Sequence, residues 1–324
     1  MRRSAWAALA VGAALTVGAA ASFAAEGKIS GSFLMGTGSA TGNYYSFGSV
    51  LAQVINTHTG ANITVSSTGG SVENVRLLKK GENEMALVQT DVNSYALNGV
   101  EQFASSAVTN FSAITACYPE MVQIVASKSS GIKSVADMRG KRICVGAVGS
   151  GYEVAARQIL GIYGMSCYDD IDERFLSQSE GKNALQDDQI DAFFMCSGYP
   201  NANVTELSLM GKIEVISIDD GHLKLLQEKY PFYAPFTTPD DQYNLGHPVT
   251  SVAVMSMLVV LNEIGDDDVY AMTAAIYDHL DEIRALNKKG EYMSLEGAFR
   301  GIPGNIHPGA ARFYEEKGLA VPGR

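Results

Sequence analysis

Between residues 29 and about 215 the chain alternates short apolar runs with amphipathic ones, and each apolar run ends in small or polar residues where the next amphipathic run begins. "KISGSFLMG" reads as a strand, and "YYSFGSVLAQVINTHTG" places apolar residues at 47, 50, 51, 54 and 55 before stopping at Gly60, the pattern of a helix. "NITVSSTGG" and "SVENVRLLKKG" repeat the pair, as do "EMALVQT" and "DVNSYALNG", with Asp91 placed as the N-cap of the third helix. After "AITACYPEMVQIVASKSSG" the grammar restarts in "KRICVGAVGSGYEVAARQILGIYG", where Ser150-Gly151-Tyr152-Glu153 fits a capping box. "DERFLSQSEGKNALQDDQ" and "IDAFFMCSGYPN" follow, and then the strand "TSVAVMSMLVVL" and the helix "DDDVYAMTAAIYDHLDEIRALNK" leave the repeat. Such alternation dictates an α/β fold with mainly parallel sheets and helices on their faces, here two α/β units joined by extended crossings.

Compartment follows from the first thirty residues. Arg2 and Arg3 precede an Ala/Val/Leu-rich run, and Ser22-Phe23-Ala24 offers small residues for cleavage, so residues 1–24 are expected to be a signal peptide and Ala25 the mature start. The run is rich in Ala and Gly and shorter than the roughly 18 strongly apolar residues that a membrane span needs. Loss of Arg2 and Arg3 takes the net charge from -11 to -13, which disfavours nucleic acid and anionic lipid as partners. An exported protein is expected.

In an open parallel sheet, ligands gather where strands end and helix N-termini aim unpaired N–H groups outward. The strand-end loops here are rich in glycine and hydroxyl groups: "MGTGSATGNYYSFG", "SSTGGSVEN", Gln89-Thr90-Asp91, Gly149-Ser150-Gly151 and Ser197-Gly198. Gly69 and Gly70 let backbone approach a ligand, Thr68 and Ser71 add hydroxyl donors, and a carboxylate suits such a site. Turn and cap chemistry alone would explain any one of these loops; their recurrence points to a lined cleft. A dinucleotide site does not fit, because Gly36, Gly38 and Gly42 carry one residue too many before the third glycine and no acid follows the second strand.

None of the five histidines sits in a recognisable arrangement with a nucleophile, no G-x-S-x-G elbow occurs, and no Cys/His cluster suggests a metal; neither catalysis nor a cofactor is expected. Four cysteines in an exported chain invite pairing, with three possible connectivities. Placement at strand ends favours Cys144 with Cys167 and Cys117 with Cys196.

"MGTGSATGNYYSFG", "STGGSVENVRLL" and "ALVQTDVNSYALNG", with "YPEMVQIVASKSSGI", "GSGYEVAARQIL" and "HPGAARFYEEKGL", together resemble the solute receptors of tripartite ATP-independent periplasmic (TRAP) transporters, specifically the TAXI family. The resemblance implies a type II periplasmic-binding-protein fold: lobe 1 over 25–116, lobe 2 over 117–218, and a return to lobe 1 over 219–324. It also implies a small ligand such as glutamate, glutamine or a dicarboxylate, and integral-membrane TRAP permease subunits as partners of a monomeric receptor. Carried onto this sequence, the site comprises Thr41, Tyr44 and Tyr45; Thr68, Gly69, Gly70 and Ser71; Gln89 and Asp91; and Ser150 with Gly151, to which the recurring loop pattern adds Ser197 and Gly198. Other readings are an exported α/β enzyme using the same cleft, or the ligand-binding subunit of a membrane sensor.

Overall fold

The computed structural model describes residue 29, residues 31–238 and residues 241–323; the expected leader therefore lies outside the described residues. Twenty elements follow in chain order. β1 (Ser32–Gly36), α1 (Asn43–Thr59), β2 (Asn62–Ser66), α2 (Ser71–Lys80), β3 (Met85–Gln89) and α3 (Thr90–Asn98) are the three strand–helix pairs expected from the sequence. β4 (Phe111–Ser127) is a single strand of 17 residues. Beyond it come β5 (Arg142–Cys144), α4 (Gly151–Ile162), β6 (Asp172–Arg174), α5 (Gln178–Gln186), β7 (Ala192–Ser197), α6 (Ala202–Leu209) and β8 (Ile213–Val215). The chain closes with α7 (Asp220–Lys229), β9 (Ala234–Thr237), β10 (Thr250–Leu261), α8 (Asp266–Asp278), α9 (Leu280–Leu286) and α10 (Pro308–Glu316). No described helix is long and apolar enough to cross a membrane.

Strand order along the sheet is β2-β1-β3-β10-β4-β7-β5-β6, with β8 beside β4 and β9 beside β10. Parallel pairs build the two ends, β2-β1-β3 and β7-β5-β6, where crossover helices connect neighbouring strands. The middle is antiparallel, because β4 and β10 run the length of both lobes in opposite directions. This is an α/β architecture of two lobes, each with its own core. The first core takes β1 to the first half of β4, then resumes at Met257 with the second half of β10, α8 and α10. In the second lobe, apolar side chains pack on both faces of the sheet, Val122, Ile124 and Phe194 on one and Met121, Val125 and Phe193 on the other. Leu223, Leu226, Tyr233, Val252 and Val254 still belong to that second half, so the apolar packing changes lobe within β10 itself.

Both long strands change core at the same level. Met255 lies opposite Pro119, and the next pair is Met257 with Ala116, so the register slips around Ser256. There the Ser256 hydroxyl donates to the Tyr118 carbonyl at 2.9 Å and accepts from the Tyr118 N–H at 3.2 Å. A fully buried side chain thus supplies the bonds the interrupted ladder leaves out.

Expectations for the long C-terminal helix and for the cysteines fail. Residues 266–288 do not form one helix: His279, at φ -120° and ψ 29°, separates α8 from α9. Nor are the cysteines paired; all four are buried free thiols. Cys196 lies opposite Val122 on β4, five residues from Cys117, or roughly 16 Å at strand spacing, far beyond the Cα separation of about 7 Å that a disulfide spans. Cys144 is the last residue of β5 and packs with Phe193 and Leu185, whereas Cys167 precedes β6 and packs with Ile143 and Ile159 on the opposite face of the sheet.

Replacing Ser256 by Ala strands the buried N–H and carbonyl of Tyr118, and should lower unfolding free energy by about 1–3 kcal/mol; a urea-denaturation midpoint equal to that of the unaltered protein would show that the hydroxyl does not hold the slip.

Candidate functional site

A small cavity of about 40 Å³ opens between the lobes, beside the level at which β4 and β10 change core. Its first-lobe wall consists of Gly38, Ser39, Gly42, Asn43, Tyr44, Gly69, Gly70, Ser71 and Gln89; Gly151, Tyr152, Gln178 and Cys196 face them, and Glu120 lies at the seam. The expected recurrence of strand-end loops is thus met in space by the ends of β1, β2, β3 and β7 and the starts of α1, α2, α4 and α5.

α1 begins at Gly42 with no side-chain cap and no acidic residue in its first turn, leaving helix N–H donors at the cavity. α4 is capped by Ser150, whose hydroxyl accepts from Glu153 N at 3.1 Å. The expected reciprocal half is displaced by one residue: the Glu153 carboxylate accepts from Gly149 N at 3.0 Å. The lobes touch directly here, since Val72 and Glu73 at the start of α2 donate to the Gly149 carbonyl at 3.2 and 3.3 Å. Thr41 and Ser179 share a hydroxyl hydrogen bond of 2.5 Å across the rim. The approach is close at Gly151: a Cβ there would lie 1.4 Å from the Gln89 side-chain oxygen, so a larger residue must displace that side chain.

The seam carries an unusual concentration of buried polarity. Tyr44 donates its hydroxyl to Glu120 at 2.8 Å. Burial pushes the Glu120 carboxyl up to about 8; the Tyr44 and Gln89 hydrogen bonds oppose this, Asp91 adds to it, and Lys289 opposes it. Burial likewise pushes Asp91 up to about 7 against hydrogen bonds from backbone N–H groups. Lys289, placed by the turn after α9, has its ammonium lowered by burial while Glu120 holds it up; its Nζ stands 5.7 Å from the Tyr118 ring centroid. Several buried polar atoms have no partner among the described residues: Asn43 Nδ2, Gln89 Oε1 and Gln178 Oε1 on lining residues, with Asp91 Oδ1 and the Tyr118 hydroxyl on residues of α3 and β4. Such atoms cost free energy unless a guest satisfies them.

Of the residues singled out in the sequence, Tyr44, Gly69, Gly70, Ser71, Gln89 and Gly151 line the cavity. Ser150 caps the helix beside it, and Thr41 bonds across the rim. Tyr45 is half-buried and not among the lining residues. The Thr68 hydroxyl is engaged within its own lobe, 3.0 Å from the Thr37 carbonyl and 2.7 Å from Asn74 Oδ1. Asp91 is not an N-cap: Gln89 holds that position and Asp91 lies buried in the first turn of α3. Ser197 accepts from Gln123 and Asn201 at 3.2 Å, and Gly198 is where the Lys289 side chain rests, too close for a Cβ. Sequence reasoning missed Glu120, Tyr152, Gln178 and Lys289 and read Cys196 as a disulfide partner. For Glu120 the signal was an acid inside the apolar run "YPEMVQIVAS"; for Lys289 there was none.

The model of the NMT1-like family matches residues 35–318. Among solved structures, MatC from Rhodopseudomonas palustris with bound malate is similar at a TM-score of 0.56 and 13% identity, covering 89% of this chain and 96% of that one. A protein of Bordetella bronchiseptica RB50 aligns at 0.54 and 18% identity over 90% of both chains. The periplasmic binding protein BugD aligns at 0.53 and 14% identity, over 81% of this chain and 85% of that one. At these identities the likeness is one of fold: two lobes of α/β structure around a cleft.

Because Glu120 and Asp91 stay protonated in the folded protein at pH values where the unfolded chain has ionised them, the folded state binds more protons and stability falls as pH rises from about 4.5 towards 8. Glu120→Gln is neutral throughout and should lose its share of that fall, so the melting temperature of the wild type relative to E120Q should decline between pH 5 and pH 8. A difference independent of pH would contradict a protonated Glu120.

Proposed function

This chain belongs to the NMT1-like family, and on that footing we propose that it is an exported solute receptor of a membrane transporter, taking a small carboxylate between its lobes. The observation that carries the proposal is the set of unpartnered polar atoms, Asn43 Nδ2 and Gln89 Oε1 from one lobe and Gln178 Oε1 from the other, converging on one cavity with the uncapped start of α1. The N–H donors and the Asn43 amide suit a carboxylate. The two amide oxygens call for donors on the same ligand, which favours an amino or hydroxy acid such as glutamate or glutamine among the candidates. Malate, the ligand of MatC, has that combination of carboxylate and hydroxyl.

The reading extends to a TRAP-type permease of the TAXI group as partner, a monomeric receptor, and the periplasm as its compartment, which is that of BugD. The mechanism is a shift of population toward a closed form that the membrane partner recognises. The hinge falls where β4 and β10 change core, at Pro119–Glu120 and Met255–Ser256, and the two lobes divide there. No bond is made or broken, and turnover of candidate esters or amides by the purified protein would refute the receptor reading.

A thermal-shift screen of refolded protein against amino acids, hydroxy acids, dicarboxylates and neutral controls tests the ligand class. A ligand at a hundred times its Kd adds about 2.7 kcal/mol, so carboxylates bearing a donor should raise the melting temperature and neutral controls should not; no shift with any carboxylate would remove the ligand assignment.

Gly151→Ala places a methyl group against Gln89 when the lobes meet and should weaken ligand binding at least tenfold by calorimetry while leaving the unfolding midpoint of ligand-free protein nearly unchanged. Equal affinity would mean that this contact has no part in closure.

A further inference from the structure

We propose that His58, His279 and Glu282 form a binding site for a divalent transition-metal ion of the zinc type, in the first lobe and away from the cleft. The three residues come from two places in the chain brought together by packing of α1 against α8 and α9. Their ligand atoms lie within 4.8 Å of one another. His58 Nε2 is 2.8 Å from Glu282 Oε2, and the His58 and His279 rings stack with centroids 3.4 Å apart and planes 9° from parallel. His58 lies fifteen residues along α1 from Asn43 at the cleft, roughly 22 Å at helical rise.

An imidazole binds a metal through the lone pair of a ring nitrogen, and the stacked rings bring such nitrogens of both histidines to the Glu282 carboxylate. Both histidines stand at helix C-terminal ends, His58 in the last turn of α1 and His279 as the C-cap of α8, where the helix dipoles favour positive charge. Glu282, in the first turn of α9, supplies the anionic ligand, and its ion-pair partner among the described residues is His58. Two imidazole nitrogens and a carboxylate oxygen form the donor set of three-ligand zinc sites that keep a fourth position for water; magnesium and calcium prefer oxygen ligands alone. All three side chains are partly exposed, so an ion can reach them. Parallel rings direct their in-plane lone pairs along separate planes, and binding therefore requires one ring to turn about its terminal torsion, which exposure permits. The ion would clamp the end of α1 to the α8–α9 corner.

Full-length mature protein, stripped with a chelator, is titrated with Zn2+, and with Mg2+ as control. Expected are one tightly bound Zn2+ per chain by equilibrium dialysis, a melting-temperature rise of about 5 °C at a hundredfold excess over Kd, and no effect of Mg2+. Co2+ in place of Zn2+ should give the visible absorption of a four-coordinate nitrogen–oxygen site. His58→Asn, His279→Asn and Glu282→Gln should each abolish both signals while His222→Asn, elsewhere on the surface, keeps them. No Zn2+ shift and no Co2+ spectrum in the wild type would overturn the site, as would signals that survive in folded variants, shown by unchanged circular dichroism. If one substitution prevents folding, the other two and the wild-type Co2+ titration decide in the same way.

Discussion

Everything in this molecule hangs on the antiparallel pairing of β4 with β10. These two strands belong to both lobes, and each changes core at the level where the Ser256 hydroxyl bridges the slipped register to Tyr118. Cross-strand hydrogen bonding elsewhere in the sheet stays within one lobe or the other; here it passes between them. A ladder interrupted at one point, with its missing bonds made by a side chain, keeps the backbone satisfied while permitting local bending and twist. In the proposed lobe closure, that combination would let the two α/β units move about one level without exposing buried amides.

The cleft lies beside this level, and the same geometry explains why it is so polar. The C-terminal strand ends of both lobes, together with helix starts, converge on it. Glu120 sits on β4 itself, between the apolar residues that face either core, so burial of its carboxyl is a consequence of occupying the seam. A protonated Glu120, hydrogen-bonded by Tyr44 and neighboured by Lys289, is a less costly buried state than an isolated carboxylate. The stability given up to hold these groups and the unpartnered amides is the free energy that a ligand can restore.

Much of this was legible in the sequence because periodicity and small-residue punctuation encode local structure directly. The three strand–helix pairs of the first lobe, β10 as a buried strand, and the glycine-bearing loops at the cleft all follow from residues within a short window. What escaped depends on distant residues. Asp91 looked like a cap because its type suits one, but the strand ends a residue earlier and places Gln89 there. The long helix of 266–288 carries an unbroken pattern, yet it divides at His279, whose ring stacks on His58 from more than two hundred residues away. The cysteine pairing failed because strand-end reasoning ignored which face of the sheet each thiol occupies, and Lys289 reaches the seam through a turn that nothing local predicts.

The division of the chain between the two cores also shapes the order in which the molecule can be made. The second-lobe cores draw on a continuous segment, from Met121 to Val254, so that lobe can collapse on contacts made within itself. The first-lobe core instead joins residues up to Tyr118 with residues from Met257 onward, and takes in Val154 of α4 between them. Its contacts have large sequence separation, and the loop-closure entropy they must overcome is reduced only once the inserted lobe has drawn the two flanking strands together. The inserted lobe can therefore serve as a scaffold for its host: once folded it holds β4 and β10 side by side, and the first lobe has a template on which to complete itself.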